Sequence, residues 1–222
     1  MAAVQMAKLA GRAHFFTALG DDEIGHRCHK RLQELGLTVH VAWRQEPQRR
    51  GFTFIVGNGE RTITVIGPRI VPESQDQLPW HLLDECRGCY FTGGSVVQAR
   101  RSQFLLATTR IRELFSEDQP DGWVGSSQDP REVVEPGDRL LVLTRGGEGG
   151  SYWTADGGSF GWAATPLPGD PVDTYGCGDS FAGALAFGLG SEMAVADAVE
   201  LAARCGAACL CGRGPYTGQL RL

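Results

Sequence analysis

The sequence predicts an α/β protein whose central sheet is mostly parallel. Near its start, residues 13–18 are typical of a strand, residues 23–35 of a helix and residues 37–43 of a second strand. This succession is the βαβ rhythm of a parallel sheet. The chain has 222 residues, of which 42% are hydrophobic, and that length suits one domain with a substantial core. We therefore expect a single domain over residues 1–222.

Charge and cysteine content exclude several classes of protein. The net charge of −5 and the pI near 5.5 give no basic surface for nucleic acid, and no run of ~18 apolar residues is present to span a membrane. The seven cysteines are odd in number and irregularly spaced, which favours reduced thiols over a disulfide framework. We expect a cytoplasmic protein without a nucleic-acid or membrane partner.

A β-hairpin is predicted at about residues 50–67. Residues 51–56 and 61–66 alternate and are rich in β-branched and aromatic side chains. They flank Gly57-Asn58-Gly59, and Asn-Gly between such runs is a strong hairpin signal. Two interpretations stay open, because the hairpin could be a lid over a substrate or an edge of the main sheet.

The rest of the chain continues the alternation of elements. A helix over residues 2–10 is expected to end at Gly11. Another helix is expected to begin at Asp129 as its N-cap, with Pro130 at the first position and Glu132 at the third. The other expected elements are strands at 89–92, 104–109, 122–125 and 139–143 and helical segments around 96–99, 111–116 and 192–211.

The stretch from Pro171 to Phe181 carries the clearest functional signal. Its turn residues lead into a buried helix that is predicted to begin near Asp179. Gly176 and Gly178 precede that start, and glycine permits positive φ and close approach of a ligand. The first N–H groups of a helix have no intrahelical partner, so such a turn is a ready phosphate site. A carboxylate there should be ionised, although Asp179 could also simply cap the helix.

The pattern Asp-Thr-x-Gly-x-Gly-Asp-x-Phe, from Asp173 to Phe181, resembles the signature of the ribokinase-like carbohydrate kinases of the phosphofructokinase-B type. The resemblance implies a ribokinase-like three-layer fold, in which helices flank a mostly parallel central sheet and a small β-lid covers the substrate. It also implies ATP-dependent phosphorylation of a sugar or related hydroxyl compound. In that reaction Asp179 would be the catalytic base, and the anion hole would be formed by Gly176, Cys177 and Gly178.

A second glycine-rich turn follows the predicted strand at 139–143. Its residues Thr144, Gly146 and Gly149 have a Thr-x-Gly-x-x-Gly spacing. This spacing resembles the nucleotide-binding turn of the same family, where the backbone passes close to the phosphates of ATP. The pattern is equally compatible with a hairpin loop that leads to Ser151.

Three carboxylates are candidates for cation binding. Related kinases carry Asn-x-x-Glu, which acts on magnesium and phosphate, and the best match here is Asp129-x-x-Glu132. Two carboxylates suit a hard cation such as Mg²⁺, but a capping box explains the same pair without any metal. In some family members the aspartate that matches Asp173 also helps to hold a monovalent cation such as K⁺.

The resemblance is incomplete at the start of the chain. Similar kinases begin with a strand, a substrate-binding aspartate and a Gly-Gly pair, whereas this chain starts in the following helix at Met1. We therefore expect an N-terminally truncated relative whose substrate is a sugar or a nucleoside-like compound, and a homodimer is left open. The alternative is a truncated or degenerate relative that binds nucleotide with little or no turnover. A dinucleotide oxidoreductase is disfavoured, because Phe181 stands where the third glycine of its fingerprint belongs.

Overall fold

The computed structural model describes residues 1–55, 61–116 and 118–221. These residues form two compact units. The smaller unit is His14–Pro79, and the larger one combines Met1–Ala13 with the chain from Trp80 onward. The expectation of one domain over residues 1–222 stays a prediction.

The smaller unit begins with the predicted βαβ element. Strand β1 (His14–Gly20) pairs in parallel with β2 (Thr38–Arg44), and helix α2 (Glu23–Glu34) connects them. Asp22 caps this helix, because its Oδ1 accepts a hydrogen bond from the Gly25 N–H at 2.8 Å. The predicted parallel start of the fold is confirmed.

The predicted hairpin follows in the same unit. Strands β3 (Arg50–Ile55) and β4 (Arg61–Ile66) pair antiparallel, with Phe52 opposite Thr64. They form a two-stranded sheet of their own, so the interpretation as an edge of the main sheet is wrong for the described strands. The predicted turn at Gly57-Asn58-Gly59 lies outside the described residues, and the role of a lid stays a prediction.

The larger unit is built on a six-stranded sheet. Its strands are β5 (Cys89–Phe91), β6 (Leu105–Thr108), β7 (Gly122–Ser126), β8 (Leu140–Thr144), β9 (Gly150–Trp153) and β10 (Ser159–Trp162). They lie side by side in the order β10-β9-β8-β7-β6-β5. Strands β5 to β8 are parallel, whereas β9 and β10 are antiparallel to their neighbours. The predicted mostly parallel sheet is confirmed, and β10 is a strand that the sequence analysis did not predict.

Three helices cover one face of this sheet. They are α1 (Ala2–Ala10), α4 (Cys177–Gly190) and α5 (Val195–Leu210). The central helix, α4, packs against both of the others. Gly183 permits its contact with α1, because a Cβ there would lie 2.5 Å from the carbonyl oxygen of Ala2. The predicted end of α1 at Gly11, with φ 76°, is confirmed.

The opposite face is covered by α3 (Val96–Ala99) and a 3₁₀ helix over Thr109–Leu114. Neighbouring residues of β6 point to opposite faces, so that Leu106 packs in the core with α4 while Leu105 packs in the core with Phe115. A sheet between two helical layers is the predicted three-layer arrangement. Among the described helices, none has the length and apolar character needed to cross a membrane.

One predicted helix is wrong. Residues 127–132 form a turn that does not continue as a helix. The Glu132 N–H donates to the carbonyl oxygen of Asp129 at 2.8 Å, which closes a single turn. The β-branched Val133 and then Pro136 follow, and both disfavour a helix interior. Asp129 and Glu132 are therefore not a helical capping box.

Candidate active site

The backbone that enters α4 is shaped by Gly176. This residue is the N-cap of the helix and has φ 94°, a left-handed conformation that residues with side chains disfavour. A Cβ at this position would also lie 2.7 Å from the Cβ of Pro215. Both the conformation and the packing require glycine, so the positive φ expected in this turn is confirmed at Gly176.

Gly178 differs from Gly176 in both respects. It lies in the first turn of α4 and does not have a positive φ, so the expectation of that conformation at this residue is wrong. A Cβ on Gly178 would meet no atom within 4 Å, and the residue lines an open cavity. Glycine at this position therefore leaves space for a ligand, and no contact within the protein requires it.

Two side chains fix the loop that leads into α4. Asp173 accepts hydrogen bonds from the Tyr175 N–H at 3.0 Å and from the Gly214 N–H at 3.1 Å, one on each carboxylate oxygen. The Sγ atom of the buried Cys209 lies 3.8 Å from the carbonyl oxygens of both Tyr175 and Pro215, so its single S–H group can donate to either of them. The loop is thereby connected to the short helix α6 (Gly214–Thr217). A role of Asp173 in binding K⁺ stays a prediction.

Asp179 is the third residue of α4 and is half-buried. The N-cap is Gly176, so the alternative in which Asp179 caps the helix is wrong. Burial raises the pKa of its carboxyl group above the ordinary value, and the positive charge of Arg110 opposes this shift. The effect of burial thus outweighs the stabilisation of the ionised form that a helix N-terminus predicts. A raised pKa makes this carboxylate a better proton acceptor.

A cavity of about 480 Å³ connects the two predicted glycine turns. Thr144, Gly146 and Gly149 line it from the loop between β8 and β9, and Cys177 and Gly178 line it from the start of α4. That loop joins antiparallel strands. It is therefore a hairpin loop, as one interpretation held, and its role as a nucleotide-binding turn stays a prediction. The volume is within the range of small-molecule sites.

Part of the cavity lining is apolar. The rings of Trp162, from β10, and Phe181, from α4, stack with centroids 5.8 Å apart and an interplanar angle of 13°, and both line the cavity with Leu210. Gly149 has φ 84°, and a Cβ on it would lie 2.0 Å from the carbonyl oxygen of Trp162. The cavity therefore has apolar rings in its lining as well as the two glycine turns.

The side chains of Asp129 and Glu132 meet at Arg110. The Nη2 group of Arg110 donates to Asp129 Oδ2 at 2.6 Å, and its Nε group donates to Glu132 Oε1. The other two oxygens are also occupied, because Asp129 Oδ1 accepts from the Arg131 N–H at 3.0 Å and Glu132 Oε2 accepts from the Ser126 N–H at 2.7 Å. Arg131, followed by Arg110, lowers the pKa of Asp129 to about 2.

These contacts bear directly on the predicted Mg²⁺ site. Carboxylate oxygens suit Mg²⁺, but all four oxygens of Asp129 and Glu132 already accept hydrogen bonds. The pair as arranged does not fit a resident cation without displacing an arginine. No group of three or more His, Cys, Asp or Glu side chains within the described ranges is arranged to hold a metal. The assignment of Mg²⁺ to this pair stays a prediction.

Three residues of this region were not found by sequence reasoning. Arg110 follows β6 directly, and its place after a buried parallel strand is a signal that could have identified it. Tyr90 belongs to β5. Burial raises the pKa of its phenol, and the charge of Asp179 raises this pKa further. The Tyr90 hydroxyl therefore stays protonated close to the Asp179 carboxylate. Trp162 lies on β10, which has no strong strand pattern in the sequence.

A glycine turn at a helix N-terminus, a half-buried carboxylate beside it and a cavity at the carboxyl end of a parallel sheet define an α/β protein with a candidate anion-binding site. The chain belongs to the pfkB family of carbohydrate kinases, whose family model matches residues 2–119 and 111–220. The recognition made from the motif between Asp173 and Phe181 is thereby confirmed.

Individual similar proteins agree with this family. Probable fructokinase-4 of Arabidopsis thaliana is 28% identical, over 92% of this chain and 78% of that protein. A ribokinase from Thermotoga maritima superposes with a TM-score of 0.77 at 16% identity, covering 99% of this chain and 82% of that one. An E. coli protein described as a ribokinase II in complex with ATP and Mg²⁺ gives 0.72 at 18% identity, with coverages of 99% and 83%. At such identities these structures establish the ribokinase-like fold alone.

Proposed function

We propose that this protein transfers the γ-phosphoryl group of ATP to a hydroxyl group of a sugar, with Asp179 as the catalytic base. The observation that carries the proposal is the cavity that is lined both by the Thr144 turn and by the first turn of α4, where Gly178 directly precedes Asp179. Membership of the pfkB carbohydrate kinases supports the same class of reaction.

The nucleotide is assigned to the 480 Å³ cavity. Its base and ribose would lie against the apolar wall at Trp162 and Leu210, and its phosphates would point towards Gly146 and Gly178. The N–H groups at the start of α4 and the positive end of the helix dipole favour an anion there. The absence of a side chain at Gly178 would allow the phosphate to approach the backbone.

In the transfer step, the hydroxyl oxygen of the sugar forms a bond to the γ-phosphorus while the bond from that phosphorus to the bridging oxygen breaks. Asp179 takes the hydroxyl proton, and ADP leaves with the bridging oxygen. The N–H groups of Cys177 and Gly178 would stabilise the charge on the phosphoryl oxygens. Burial, which raises the pKa of Asp179, favours its role as the acceptor.

Magnesium enters this proposal as part of the nucleotide substrate. The E. coli relative is described in complex with ATP and Mg²⁺, and such an ion neutralises phosphate charge. No protein ligand is assigned to it, because the oxygens of Asp129 and Glu132 are already engaged.

The first substrate to test is fructose, because a curated relative carries the name of a fructokinase. Nucleosides form the competing class that the resemblance leaves open. A panel of hexoses, pentoses and nucleosides should be assayed by coupled ADP release with wild type and Asp179→Asn. The proposal predicts release that depends on one class of acceptor and is lost in the variant. Acceptor-independent release, or equal release by Asp179→Asn, would contradict it.

A nucleotide-binding protein with little turnover is the second candidate. It is favoured by the engagement of both predicted metal-binding carboxylates with Arg110. Calorimetry distinguishes the two, since this candidate predicts ATP binding in the cavity without ADP release for any acceptor of the panel.

We also propose that the protein forms a homodimer and is located in the cytoplasm. Phe52 and Phe54, which lie on one face of the hairpin, are exposed, and neighbouring exposed apolar side chains favour association. All seven cysteines are free thiols, which suits a reducing compartment. Sedimentation velocity tests the first proposal, and imaging of the tagged protein in cells tests the second.

A further inference from the structure

Arg110 has the position and the free donors of a residue that binds an anion. It lies in the 3₁₀ helix Thr109–Leu114, which begins directly after β6, and its side chain is 51% exposed. The guanidinium uses Nε for Glu132 and Nη2 for Asp129. Within the part of the chain that the structure describes, its Nη1 group donates no hydrogen bond. The Nε and Nη2 groups of the guanidinium are therefore held by carboxylates, and the Nη1 group faces solvent.

The two carboxylates hold this guanidinium in a defined orientation. Their side chains are only 20% and 12% exposed, respectively, for Asp129 and Glu132. Glu132 is itself fixed by the N–H of Ser126 at 2.7 Å, and Ser126 lines the cavity. A cation that is held by two largely buried acids loses little freedom when it binds a further anion.

The cluster lies within electrostatic reach of Asp179. Burial is the largest cause of the raised pKa of the Asp179 carboxyl group; the Met1 ammonium and then Arg110 lower this pKa, and Glu132 raises it. Asp179 follows Gly178, which lines the cavity at the start of α4. Ser126, whose N–H group donates to Glu132, lines the same cavity as Gly178, so the cluster and the glycine turn both lie beside that cavity.

We propose that Arg110 contacts the transferring phosphoryl group and is a catalytic residue, and that Asp129 and Glu132 are positioning residues that hold it. This inference rests on the proposed function. An arginine fork can pair with two phosphoryl oxygens, and a fixed positive charge beside the reacting group stabilises the charge of the transition state. In this chain Asp129 and Glu132 would thus hold the positively charged Arg110 side chain beside the phosphate.

The test compares Arg110→Met with Arg131→Met. Arg131 donates to the same Asp129 carboxylate, but its side chain is 78% exposed, so it is a matched control. We would measure by calorimetry the affinities of AMP and of the β,γ-imido analogue of ATP, both in EDTA. Arg110→Met should weaken binding of the analogue about 10-fold or more while changing AMP affinity less than about 2-fold, because a charged hydrogen bond to the γ-phosphate is lost. Arg131→Met should change neither affinity.

Equal loss for AMP and the analogue, or no loss for either, would overturn the inference. If Arg110→Met does not fold, as judged by circular dichroism, Arg110→Gln keeps a hydrogen bond to Asp129 and is expected to show the same selective loss. Mn²⁺ binding without nucleotide, followed by electron paramagnetic resonance, gives an independent readout. A stoichiometric Mn²⁺ site in wild type that disappears in Asp129→Asn would show that the acids hold a metal, and would also overturn the inference.

This design separates the inference from the proposed function. If no acceptor is phosphorylated, the proposed function fails, but the comparison of AMP with the analogue still reports on Arg110. If phosphorylation is found and Arg110→Met keeps both wild-type turnover and wild-type affinity for the analogue, the inference alone fails.

Discussion

Two regions of the larger unit present opposite chemistry to the same end of the sheet. The turn before α4 offers backbone N–H groups and a space beside Gly178. The cluster after β6 and β7 offers the charge of Arg110, held by Asp129 and Glu132. The first region depends on missing side chains, and the second depends on long side chains that meet across two strands.

The two regions therefore differ in why their residues are required. At Gly176 the positive φ and the nearby Pro215 exclude any side chain, so the protein itself requires glycine. At Gly178 no protein atom would be met by a Cβ, so only a ligand would require glycine. In the cluster, Arg110 pairs with two carboxylates, so the loss of one carboxylate leaves Arg110 paired with the other.

The largest effect is expected for Asp179→Asn. The amide keeps the shape of the side chain but cannot accept the hydroxyl proton, so kcat should fall by about 10²–10⁴-fold. Nucleotide affinity should stay within a few-fold, because Gly178 and the helix N-terminus are unchanged. Steady-state kinetics and calorimetry on the same preparation check both values. A variant with near wild-type kcat would show that the carboxylate is not the base.

The next effect compares Gly178→Ala with Gly176→Ala. At 178 the new methyl group would enter the cavity, so kcat/KM should fall by about 10-fold or more, while thermal stability should hold or rise slightly, since alanine is the better helix former. At 176 the loss should instead be one of stability, about 1–2 kcal/mol from the left-handed φ, with the clash against Pro215 added. Chemical denaturation and kinetics of both variants test this contrast. If Gly178→Ala had wild-type kinetics, the assignment of an anion hole would be refuted.

The two regions were not equally predictable. Gly176, Cys177 and Gly178 are adjacent in the sequence, and glycine before an apolar helical pattern has a local meaning. The contact between Arg110 and Glu132 depends on β6 and β7 being neighbours in the sheet. No local pattern contains that information.

The errors have similar physical causes. Asp129 and Glu132 match a capping box in spacing, but the residues that follow prevent a helix, and tertiary contacts with Arg110 take over both side chains. The expected ionisation of Asp179 stays a prediction; it considered the helix N-terminus and did not include burial, which raises the pKa. Strand β10 was not predicted, because the glycine-rich segment around Trp162 has weak strand propensity.

Asp179 should also make activity and stability depend on pH. Burial raises its pKa in the folded protein, so the folded state binds the proton more tightly than the unfolded state does. The contribution of this group to unfolding free energy therefore falls as pH rises from the unfolded pKa, about 3.8, through the folded pKa. Asp179→Asn should remove that decrease and melt at a higher temperature than wild type at neutral pH. The difference should shrink as pH falls towards 4 in melts recorded by circular dichroism.

The same group links pH to the Arg110 cluster. The acid limb of kcat/KM should report the Asp179 carboxylate in the free enzyme. Since Arg110 lowers the pKa of Asp179, Arg110→Met should move this limb to higher pH, whereas Arg131→Met should leave it in place. Rate profiles of the three proteins test this expectation. An acid limb that stays at the same pH in Arg110→Met would mean that the two charges do not interact.

The smallest effect is expected for Asp129→Asn. The amide oxygen can still accept a hydrogen bond from Arg110, and Glu132 continues to hold the Nε group. Because Arg110 is half-exposed, the lost ion pair should be weak, and we expect the affinity for the ATP analogue to fall only about 2- to 5-fold. Glu132→Gln serves as the comparison, since Glu132 also holds the Ser126 N–H beside the cavity, and its effect should be larger. Calorimetry of both variants in EDTA gives the order of the two effects. If Asp129→Asn lost more affinity than Glu132→Gln, Asp129 would be the main residue that holds Arg110. The region to compare with the glycine turn would then be centred on residues 129–131.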